Sequence, residues 1–524
     1  MFNLEKDHDP RKNAELLAEI HEKKLDIKEM VQETEQLFNQ CLAKEIPQQS
    51  NQILSQSIPL SEKAGQFFFR IFSKASKLSE LTGISVDSEG NVYPDWKEML
   101  DQEFSQLMNH ITREVNVVDF GAVGDGKTDN TAAFKKAIGN GRVKIFVPAG
   151  VFITKGIRIP SWTCLMGAGK GHTTIKLHDH APKGTRLITN SNHWKGNHHL
   201  FVQGMSLDWN VERLGDSQRT STWGNHSSCL TYANVTYGWV KDVEGINPGL
   251  HCFDISSTLY NYAGDSYRAR GGSRYVWLEN LNGYGFGDDG ITTHHSDFIY
   301  ICYSHMCEPS GRAHRKGFSN SNGFEIDDGS RNIVLVNNSS ARCFGGVEIK
   351  AHQNSSAAAN VQIIGHISVN DNRSFNFRHI GHHKSTDAES KTAFNITATN
   401  LAAISPILTD LYVDSSPRGL VVSAYKNVVI NRFILLGDPE FDYKDNPVIA
   451  IQYRARNVVL NEISFKDFKK AGADIKVFGG ENRADGIQIS NVLVQNSANK
   501  ALKIGSDIQN IKVENIKEAS NSYF

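Results

Sequence analysis

From Val115 to its C-terminus this chain repeats one short pattern, and that repeat restricts the folds it can adopt. The unit is an apolar strand, a polar corner and a segment close to Ser-x-Asn-Val-x-Ile. Consecutive copies lie about 23 to 34 residues apart, apart from one gap of 67 residues that has room for two or three units. The copies begin at Ser273, Ser296, Ser330, Ala358, Tyr425, Ala455, Ala484 and Ile508.

A β-rich unit of this length is typical of a solenoid. Helical repeats do not fit, because Val and Ile alternate with polar residues at a period of two. We therefore predict a mainly β chain, with residues 115–524 forming a single-stranded parallel β-helix. Its coils should stack at ~4.8 Å, with one face of every strand pointing inward.

The first 114 residues have a different character and are predicted to form a separate helical region. Helical patterns cover residues 13–44, 62–81 and 96–111, and a polar linker covers residues 48–57. The first pattern has apolar heptad columns that Lys24 and Thr34 interrupt. A coiled coil and an amphipathic helix packed on its own domain explain this pattern equally well.

Composition excludes several classes of protein. The 56 Lys and Arg residues nearly balance 57 Asp and Glu residues, which argues against a nucleic-acid binder that relies on bulk positive charge. No apolar run is long enough to cross a membrane, and the charged N-terminus does not resemble a signal peptide. Seven scattered cysteines do not suggest a disulfide framework, so synthesis in a reducing cytosol is expected.

Residues 121–128, GAVGDGKT, match the Walker A pattern and lie between a predicted strand and a predicted helix. Taken alone, this motif would indicate a nucleotide hydrolase. Short β coils follow it, however, and not the strand-helix-strand units that a P-loop core requires. We therefore do not expect nucleotide binding here.

The same segment carries a resemblance to a known family. VNVVDFGAVGDGKTDNTAAFKKAI followed by KIFVPAGVFIT is similar to the start of pectate-lyase-like β-helix proteins, which include polygalacturonases and phage tail spikes. The later segments GFGDDGITTHHSDFIYI, SNGFEIDDGSRNIVLV and GGVEIKAHQ resemble the appendage and tail-spike branch from phages of Gram-positive bacteria. The resemblance implies a right-handed β-helix and a homotrimer in the virion. It also implies that region 1–114 attaches to phage tail or baseplate proteins, and that the protein acts at the host surface.

Stacking the coils predicts where the polar chemistry lies. We aligned seven inward anchors: Ile255, Ile291, Ile326, Ile349, Val422, Ile451 and Ile504. The residues two positions earlier should also point inward, and all are apolar except Asp289. The residues beside the anchors should point outward, and in the middle coils they are acidic or basic.

Two carboxylates on one strand face are the main catalytic candidates. Glu325 and Asp327 should stack on Glu348 and Lys350 of the next coil. Stacked carboxylates are costly unless they are protonated, paired or bridged by a cation, so stability alone would not select them. Glu325 and Asp327 are spaced to act as an acid and a base.

Asp288 and Asp289 are the second catalytic pair, because GDDG resembles the paired aspartates of polygalacturonases. The other polygalacturonase motifs are not intact here. Nine of the 20 histidines fall between His294 and His383, together with several basic residues such as Arg373 and Arg378. This composition suits an anionic substrate. The predicted substrate-binding residues are Lys350, His352, His294, Glu348, Asp254 and Arg342.

These observations predict a phage depolymerase that acts on a Gram-positive surface polymer, either anionic or neutral. The first hypothesis is phosphodiester hydrolysis of wall teichoic acid. The alternatives are a glycoside hydrolase that uses Asp288, Asp289, Glu325 and Asp327 on capsular or exopolysaccharide, a lyase of such a polymer, and a non-catalytic receptor-binding spike. No cofactor is required by the sequence, although the carboxylates and histidines could hold a divalent cation.

Overall fold

The computed structural model describes residues 3–22, 26–44, 73–75, 80–215, 219–222, 224–261, 267–353, 355–384 and 386–519. These residues form a parallel β-helix preceded by a small helical region, which confirms the predicted fold class. The helices are α1 (Asn13–Ile20), α2 (Ile27–Leu42), α3 (Lys97–His110) and α4 (Thr131–Ile138), with 3-10 helices at Pro10–Lys12, Val117–Phe120 and Val211–Leu214.

The coils of the β-helix are built from two parallel sheets. The twelve-stranded sheet contains β8 (Ile157–Ile159), β11 (Ile188–Asn190), β13 (Leu230–Ala233), β15 (Phe253–Ser256), β19 (Ile291–Thr293), β22 (Asn322–Ile326), β24 (Gly345–Ala351), β26 (Arg373–His379), β28 (Arg418–Ser423), β30 (Pro447–Gln452), β32 (Ala473–Val477) and β34 (Leu502–Ile504).

The nineteen-stranded sheet wraps around the rest of each coil. It contains β4 (Arg113–Asn116), β5 (Asp125–Asp129), β6 (Val143–Val147), β7 (Gly150–Thr154), β9 (Thr163–Gly167), β10 (Thr173–Leu177), β12 (Asn197–Asp208), β14 (Val235–Ile246), β17 (Arg274–Glu279), β18 (Asn282–Tyr284), β20 (Asp297–Cys302), β21 (His305–Cys307), β23 (Arg331–Ala341), β25 (Ala359–Val369), β27 (Phe394–Ile404), β29 (Lys426–Leu436), β31 (Arg456–Lys466), β33 (Asp485–Gln495) and β35 (Lys512–Glu518).

Outside these sheets, β2 (Ile84–Val86) and β3 (Val92–Pro94) form a small hairpin, and β1 (Ser73–Ala75) pairs with β16 (Tyr267–Ala269). The long gap in the repeat contains two coils, because Val361 pairs with Ile396 and Ile396 pairs with Val428. The β-helix begins at β4, close to the predicted boundary at residue 115.

The asparagine of the repeat motif occupies a left-handed corner of the coil. Asn332, Asn360, Asn427 and Asn457 have φ between 54 and 60°. Asparagine tolerates this conformation better than most residues because its short side chain can form hydrogen bonds locally. The Asn457 amide donates to Oδ1 of Asn427 at 2.9 Å, and neighbouring corners are joined in the same way. The motif therefore marks a ladder of stacked amides that fixes coil register.

The predicted register of the inward columns is confirmed in six of the seven aligned coils and wrong in one, although Ile504 in the last coil is 49% exposed. Ile326 pairs with Ile349, and Phe324 pairs with Val347, as expected. Ile291 instead pairs with Phe324, two residues away from its assigned column, and Thr293 pairs with Ile326. Asp289 therefore does not belong to the apolar column, and Thr292, not Gly290, stacks beside Glu325.

The N-terminal helices pack against the outside of the β-helix. The predicted helix over residues 13–44 is divided into α1 and α2, and its buried apolar side chains contact the nineteen-stranded sheet. Leu17 contacts Ile367 and Val369, while Phe38 lies with Val429 and Val459. The apolar sides of α1 and α2 therefore pack on the chain's own β-helix, which is one of the two interpretations of the heptad columns.

The other helical predictions have mixed outcomes. The prediction over residues 96–111 is confirmed by α3. Most of the predicted helix over 62–81 and the whole predicted linker at 48–57 lie outside the described residues. The part of residues 62–81 that is described as a regular element is β1, so the helix prediction is wrong there. Pairing with β16 across the chain accounts for the extended conformation.

The Walker-like segment does not form a P-loop. Lys127 and Thr128 lie in strand β5, and their backbone N–H groups donate to the carboxylate of Asp125. Helix α4 starts only at Thr131, so the loop does not present its amides to a phosphate in the usual way. An exposed turn closed by the Asp125 carboxylate thus explains the sequence match.

Candidate active site

Polar side chains from the middle of the twelve-stranded sheet form one continuous buried cluster. They come from strands β15, β19, β22, β24 and β26 and from the corners beside them. The structure brings together nine of the ten predicted site residues: Asp254, Asp288, Asp289, His294, Glu325, Asp327, Glu348, Lys350 and His352. All but His352 are almost fully buried.

Arg342 was predicted to bind substrate, and that prediction is wrong. Its guanidinium forms an ion pair with Glu308 at 2.9 Å and donates to the carbonyl of Leu4. Arg342 follows the last residue of β23, on the nineteen-stranded sheet, so proximity in sequence did not place it near the carboxylates. It joins the N-terminal segment to the β-helix.

One half of the cluster is organised around His251. Its Nδ1 lies 3.5 Å from Asp254, and its Nε2 lies 3.6 Å from Asp288 and 3.5 Å from Asp289. Burial alone would lower the pKa of His251, but the three carboxylates close to its ring raise it well above its ordinary value. These contacts favour the protonated imidazole, which lies between three aspartates.

The pKa values of the adjacent residues Asp288 and Asp289 are shifted in opposite directions. Burial opposes ionisation of Asp288, but the charge of His314, 2.5 Å from Asp288 Oδ1, and contacts with His251 lower its pKa well below its usual value. Burial, followed by repulsion from Asp288 and Glu325, raises the pKa of Asp289 well above its usual value. Opposite shifts of two neighbouring carboxyl groups are the pattern of an acid and base pair.

The other half of the cluster surrounds Glu325 and Asp327. The ammonium of Lys350 lies 2.6 Å from Glu325 Oε1 and 3.6 Å from Asp327 Oδ2. The hydroxyl of Thr292 donates to Glu325 Oε2 at 2.9 Å. Burial would lower the pKa of Lys350, but the charges of Asp327 and Glu325 raise it well above 10.5. Lys350 is a permanent cation between the two carboxylates.

Asp327 also contacts two histidines. His294 Nε2 and His352 Nδ1 lie 3.4 and 3.8 Å from Asp327 Oδ2, and His352 Nδ1 lies 3.0 Å from Asp328. Although Asp327 is buried, the charges of Lys350 and His352 lower its pKa well below the usual value. The charge of Asp328, opposed by burial, raises the pKa of His352 to about 9.

Asn322 joins the two halves. Its side-chain amide donates to Asp289 Oδ1 at 3.0 Å and to Glu325 Oε1 at 3.2 Å, so both oxygens lie beside one nitrogen atom. At the far edge of the cluster, Arg378 Nε lies 2.5 Å from Glu348 Oε1. The predicted stacking of Glu325 on Glu348 is confirmed, and separate cations compensate the two charges.

Among the described residues, three groups of side chains have the geometry to hold a metal ion. Each places its ligand atoms within 4.8 Å of one another: His251 with Asp288 and Asp289, His294 with Glu325 and Asp327, and Asp327 with Asp328 and His352. Carboxylate and imidazole donors suit several divalent ions. In the second group, the ammonium of Lys350 already sits against both carboxylates and would compete with a cation.

Several residues of the cluster were not among the predicted site residues: His251, His314, Asn322, Asp328 and Arg378. Asp328 could have been found, because Asp327-Asp328-Gly repeats the Asp288-Asp289-Gly pattern. His314 comes from the loop between β21 and β22, and no repeat assigns that loop a position. Its contact with Asp288 depends on how the loop folds back over the sheet.

The chain is similar to known β-helix proteins. A family model for rhamnogalacturonase A and epimerase, pectate lyase-like, matches residues 114–348. A putative phage-related protein, YobO, of Bacillus subtilis strain 168 is 51% identical over 436 residues, which are 83% of this chain and 54% of the relative. The pre-neck appendage protein of Bacillus phage phi29 is 44% identical over 438 residues, 80% of this chain and 49% of the relative.

The crystal structure of an N-terminal fragment of gene product 12 from bacteriophage phi29 superimposes with a TM-score of 0.73 at 40% identity. The match covers 80% of this chain and 69% of the fragment. The chain belongs to the pectate-lyase-like family of right-handed β-helices. The phage pre-neck appendage proteins are its homologues within that family, which confirms the resemblance found in the sequence.

This member of the pectate-lyase-like family spans about half the length of the curated relatives it matches. The family description names a rhamnogalacturonase and an epimerase, enzymes that act on polysaccharides. Within the described part of the chain, no helix is both long and apolar enough to cross a membrane.

Proposed function

We propose that the protein is a phage appendage depolymerase that hydrolyses phosphodiester links of a wall teichoic acid on Gram-positive hosts. The observation that carries the proposal is the buried cluster in which Glu325 and Asp327 share the cation Lys350. A buried cation can stabilise the negative charge that develops on the phosphoryl oxygens in the transition state, and the two carboxylates beside it can accept or donate a proton. Homology to phage pre-neck appendage proteins supports the virion setting.

Within the proposed site, each side chain has a separate role. Asp327, with its lowered pKa, is suited to keeping His294 and His352 protonated. Glu325 then accepts a proton from the attacking water. The water oxygen bonds to phosphorus, and the bond from phosphorus to the leaving alkoxide breaks. His352, protonated at neutral pH and half exposed, donates its proton to that oxygen.

Phosphorus NMR of purified wall teichoic acid tests this function. We expect new phosphomonoester signals after incubation with the wild-type protein and none with Glu325→Gln. Glu440→Gln is the control, because Glu440 is exposed and pairs only with Lys470 away from the site. An unchanged spectrum with wild-type protein, or equal activity of Glu325→Gln, would refute the proposal for that polymer.

Glycoside hydrolysis is a second candidate, and one specific observation favours it. The pKa of Asp288 is lowered and that of Asp289 is raised, which matches the base and acid that inverting glycosidases use. On this hypothesis, Asp289 protonates the leaving oxygen and Asp288 activates water. New reducing ends from a capsular polysaccharide, lost in Asp289→Asn but retained in Glu325→Gln, would support it over the first candidate.

We also propose that the protein is a homotrimer attached to the phage tail through its N-terminal region. The apolar faces of α1 and α2 are covered by their own β-helix, so we do not expect a coiled coil through those faces to hold the trimer together. Light scattering on the purified protein tests the assembly. A mass of one chain at micromolar concentration would contradict it.

A further inference from the structure

A cavity of about 330 Å³ opens on the twelve-stranded sheet directly beside the carboxylate cluster. Its walls come from β26, β28 and β30 and the loops next to them. Three arginines, Arg373, Arg378 and Arg418, line it together with His383, and no carboxylate is among its described lining residues. Tyr453 forms one side, where its ring stacks on His383 at 4.3 Å.

The positive charge of this cavity is not balanced by the protein around it. Arg373 and Arg418 are direct partners in neighbouring strands, so two cationic side chains leave adjacent positions of the sheet. Arg418 donates to Asn446 Oδ1 at 2.8 Å and to a backbone carbonyl, both of which are neutral acceptors. Arg378 is the one member paired with a carboxylate among the described residues, through Glu348.

Arg373 is the least satisfied group. Among the described residues its side chain has no hydrogen bond or ion pair, its Nε is buried without an acceptor, and its guanidinium lies over the Phe344 ring at 5.6 Å. Burial, followed by repulsion from Arg378, lowers its pKa to about 10, and burial with repulsion from Arg373 does the same for Arg418. Withdrawing a charged guanidinium even partly from water without a counter-charge costs stability, and an anionic ligand would remove that cost.

The cavity is aligned with the proposed catalytic groups. Arg378 is the direct partner of Lys350 in the next strand, and Ser423 follows in the strand after that. Neighbouring strands are ~4.8 Å apart, so the cavity lies one to two coils, roughly 5–10 Å, from Lys350 along the helix axis. A polymer lying along this sheet would meet both sites at once.

We propose that this cavity binds a second phosphate of the polymer chain, next to the phosphodiester held at Lys350, and so selects polyanionic chains over single diesters. This inference rests on the proposed function and names its second substrate contact. Planar guanidinium groups bind phosphate oxygens with paired hydrogen bonds, and three of them surround one cavity here.

The kinetic test compares a glycerol phosphate oligomer with a small monomeric phosphodiester as substrates. Arg373→Gln and Arg418→Gln should each raise KM for the oligomer about tenfold, the loss of one charge-assisted contact, and KM for the monomer much less. Arg274→Gln is the matched control, because Arg274 is exposed on the nineteen-stranded sheet. Equal changes in KM for both substrates would overturn the proposal.

A binding test separates this inference from the proposed function. Calorimetry with Glu325→Gln protein measures affinity for glycerol phosphate and galacturonate oligomers without turnover. We expect tighter binding of the phosphate oligomer, weakened by added salt and by Arg373→Gln. Preference for galacturonate, or no binding of either oligomer, would overturn the inference. Binding that persists while wild-type protein fails to cleave would refute only the phosphodiesterase.

Thermal denaturation shows whether the variants are folded and measures how phosphate changes their melting temperature. In phosphate-free buffer, Arg373→Gln should melt at a higher temperature than wild type, because a partly buried charge without a counter-charge is removed. Added inorganic phosphate should raise the melting temperature of wild type more than that of Arg373→Gln. A lower melting temperature for the variant, or equal shifts with phosphate, would contradict an anion site.

Discussion

The ammonium of Lys350 lies 2.6 Å from Oε1 of Glu325, and both side chains are nearly excluded from solvent. The two residues are in neighbouring coils, one strand apart in the twelve-stranded sheet. Lys350 neutralises the charge of Glu325, which would otherwise repel the neighbouring carboxylate of Glu348. Stability and the proposed chemistry therefore depend on the same side chains.

Removing Lys350 should destabilise the fold strongly. Lys350→Met leaves Glu325 and Asp327 buried without their cation, which typically costs about 3–5 kcal/mol of unfolding free energy. Lys470→Met is the control, because that lysine pairs with Glu440 on the surface and should change stability by less than about 0.5 kcal/mol. Urea denaturation of both variants tests the difference, and equal midpoints would show that the buried pair is not important for stability.

Alkaline pH should weaken the protein through His352. Its pKa is raised to about 9, so the protonated form adds stability that is complete below the ordinary pKa of 6.5 and is lost as pH rises through 9. Between pH 7 and pH 10, wild-type protein should lose more stability than His352→Gln. Parallel stability curves for the two proteins would contradict protonation of His352 in the folded state.

The buried carboxyl group of Asp474, away from the site, should make the unfolding free energy depend on pH in a second way. Burial raises its pKa to about 7, above the ordinary 3.8, so the folded state retains a proton that the unfolded state has lost. Stability should therefore fall as pH rises from about 4 to 7. Asp474→Asn should remove this loss and be more stable at pH 8, on the order of 2 kcal/mol. A variant less stable than wild type at pH 8 would contradict the assignment.

The asparagine ladder can be tested at Asn427. This residue has φ of 60° and accepts a hydrogen bond from Asn457, while its amide donates to Asn395 at 3.0 Å. Asn427→Ala loses both bonds and places alanine in a left-handed corner, whereas Asn427→Gly loses only the bonds. Alanine should be the more destabilising by about 1 kcal/mol. Equal unfolding free energies would show that the corner conformation is not restrictive.

The fold could be predicted because one unit is repeated many times. Most coils offer the same inward Val and Ile and the same corner asparagine, so an error in one coil does not disturb the others. The predicted register was wrong at β19 because the segment of that coil departs from the repeat. Its segment reads Ile291-Thr292-Thr293, and threonine at an inward position hides the column that Ile255 and Ile326 define.

The site was predictable only where it follows the repeat. Glu325, Asp327, Glu348 and Lys350 occupy fixed positions beside inward anchors, and their stacking follows from the strand spacing. Arg342 was misplaced because nearness in sequence says little about which face of a coil a residue occupies. His314 could not be found, since a loop with no repeat carries it across the sheet to Asp288.

In the proposed reaction, the buried cluster adds water to the phosphorus of a phosphodiester. The decisive experiment is cleavage of wall teichoic acid in water enriched in oxygen-18, followed by mass spectrometry of the fragments. We predict one oxygen-18 atom in each new phosphomonoester with wild-type protein, and no labelled product with Glu325→Gln. Oxygen-18 in a hydroxyl group on a sugar carbon, or fragments released without oxygen-18, would contradict attack of water at phosphorus.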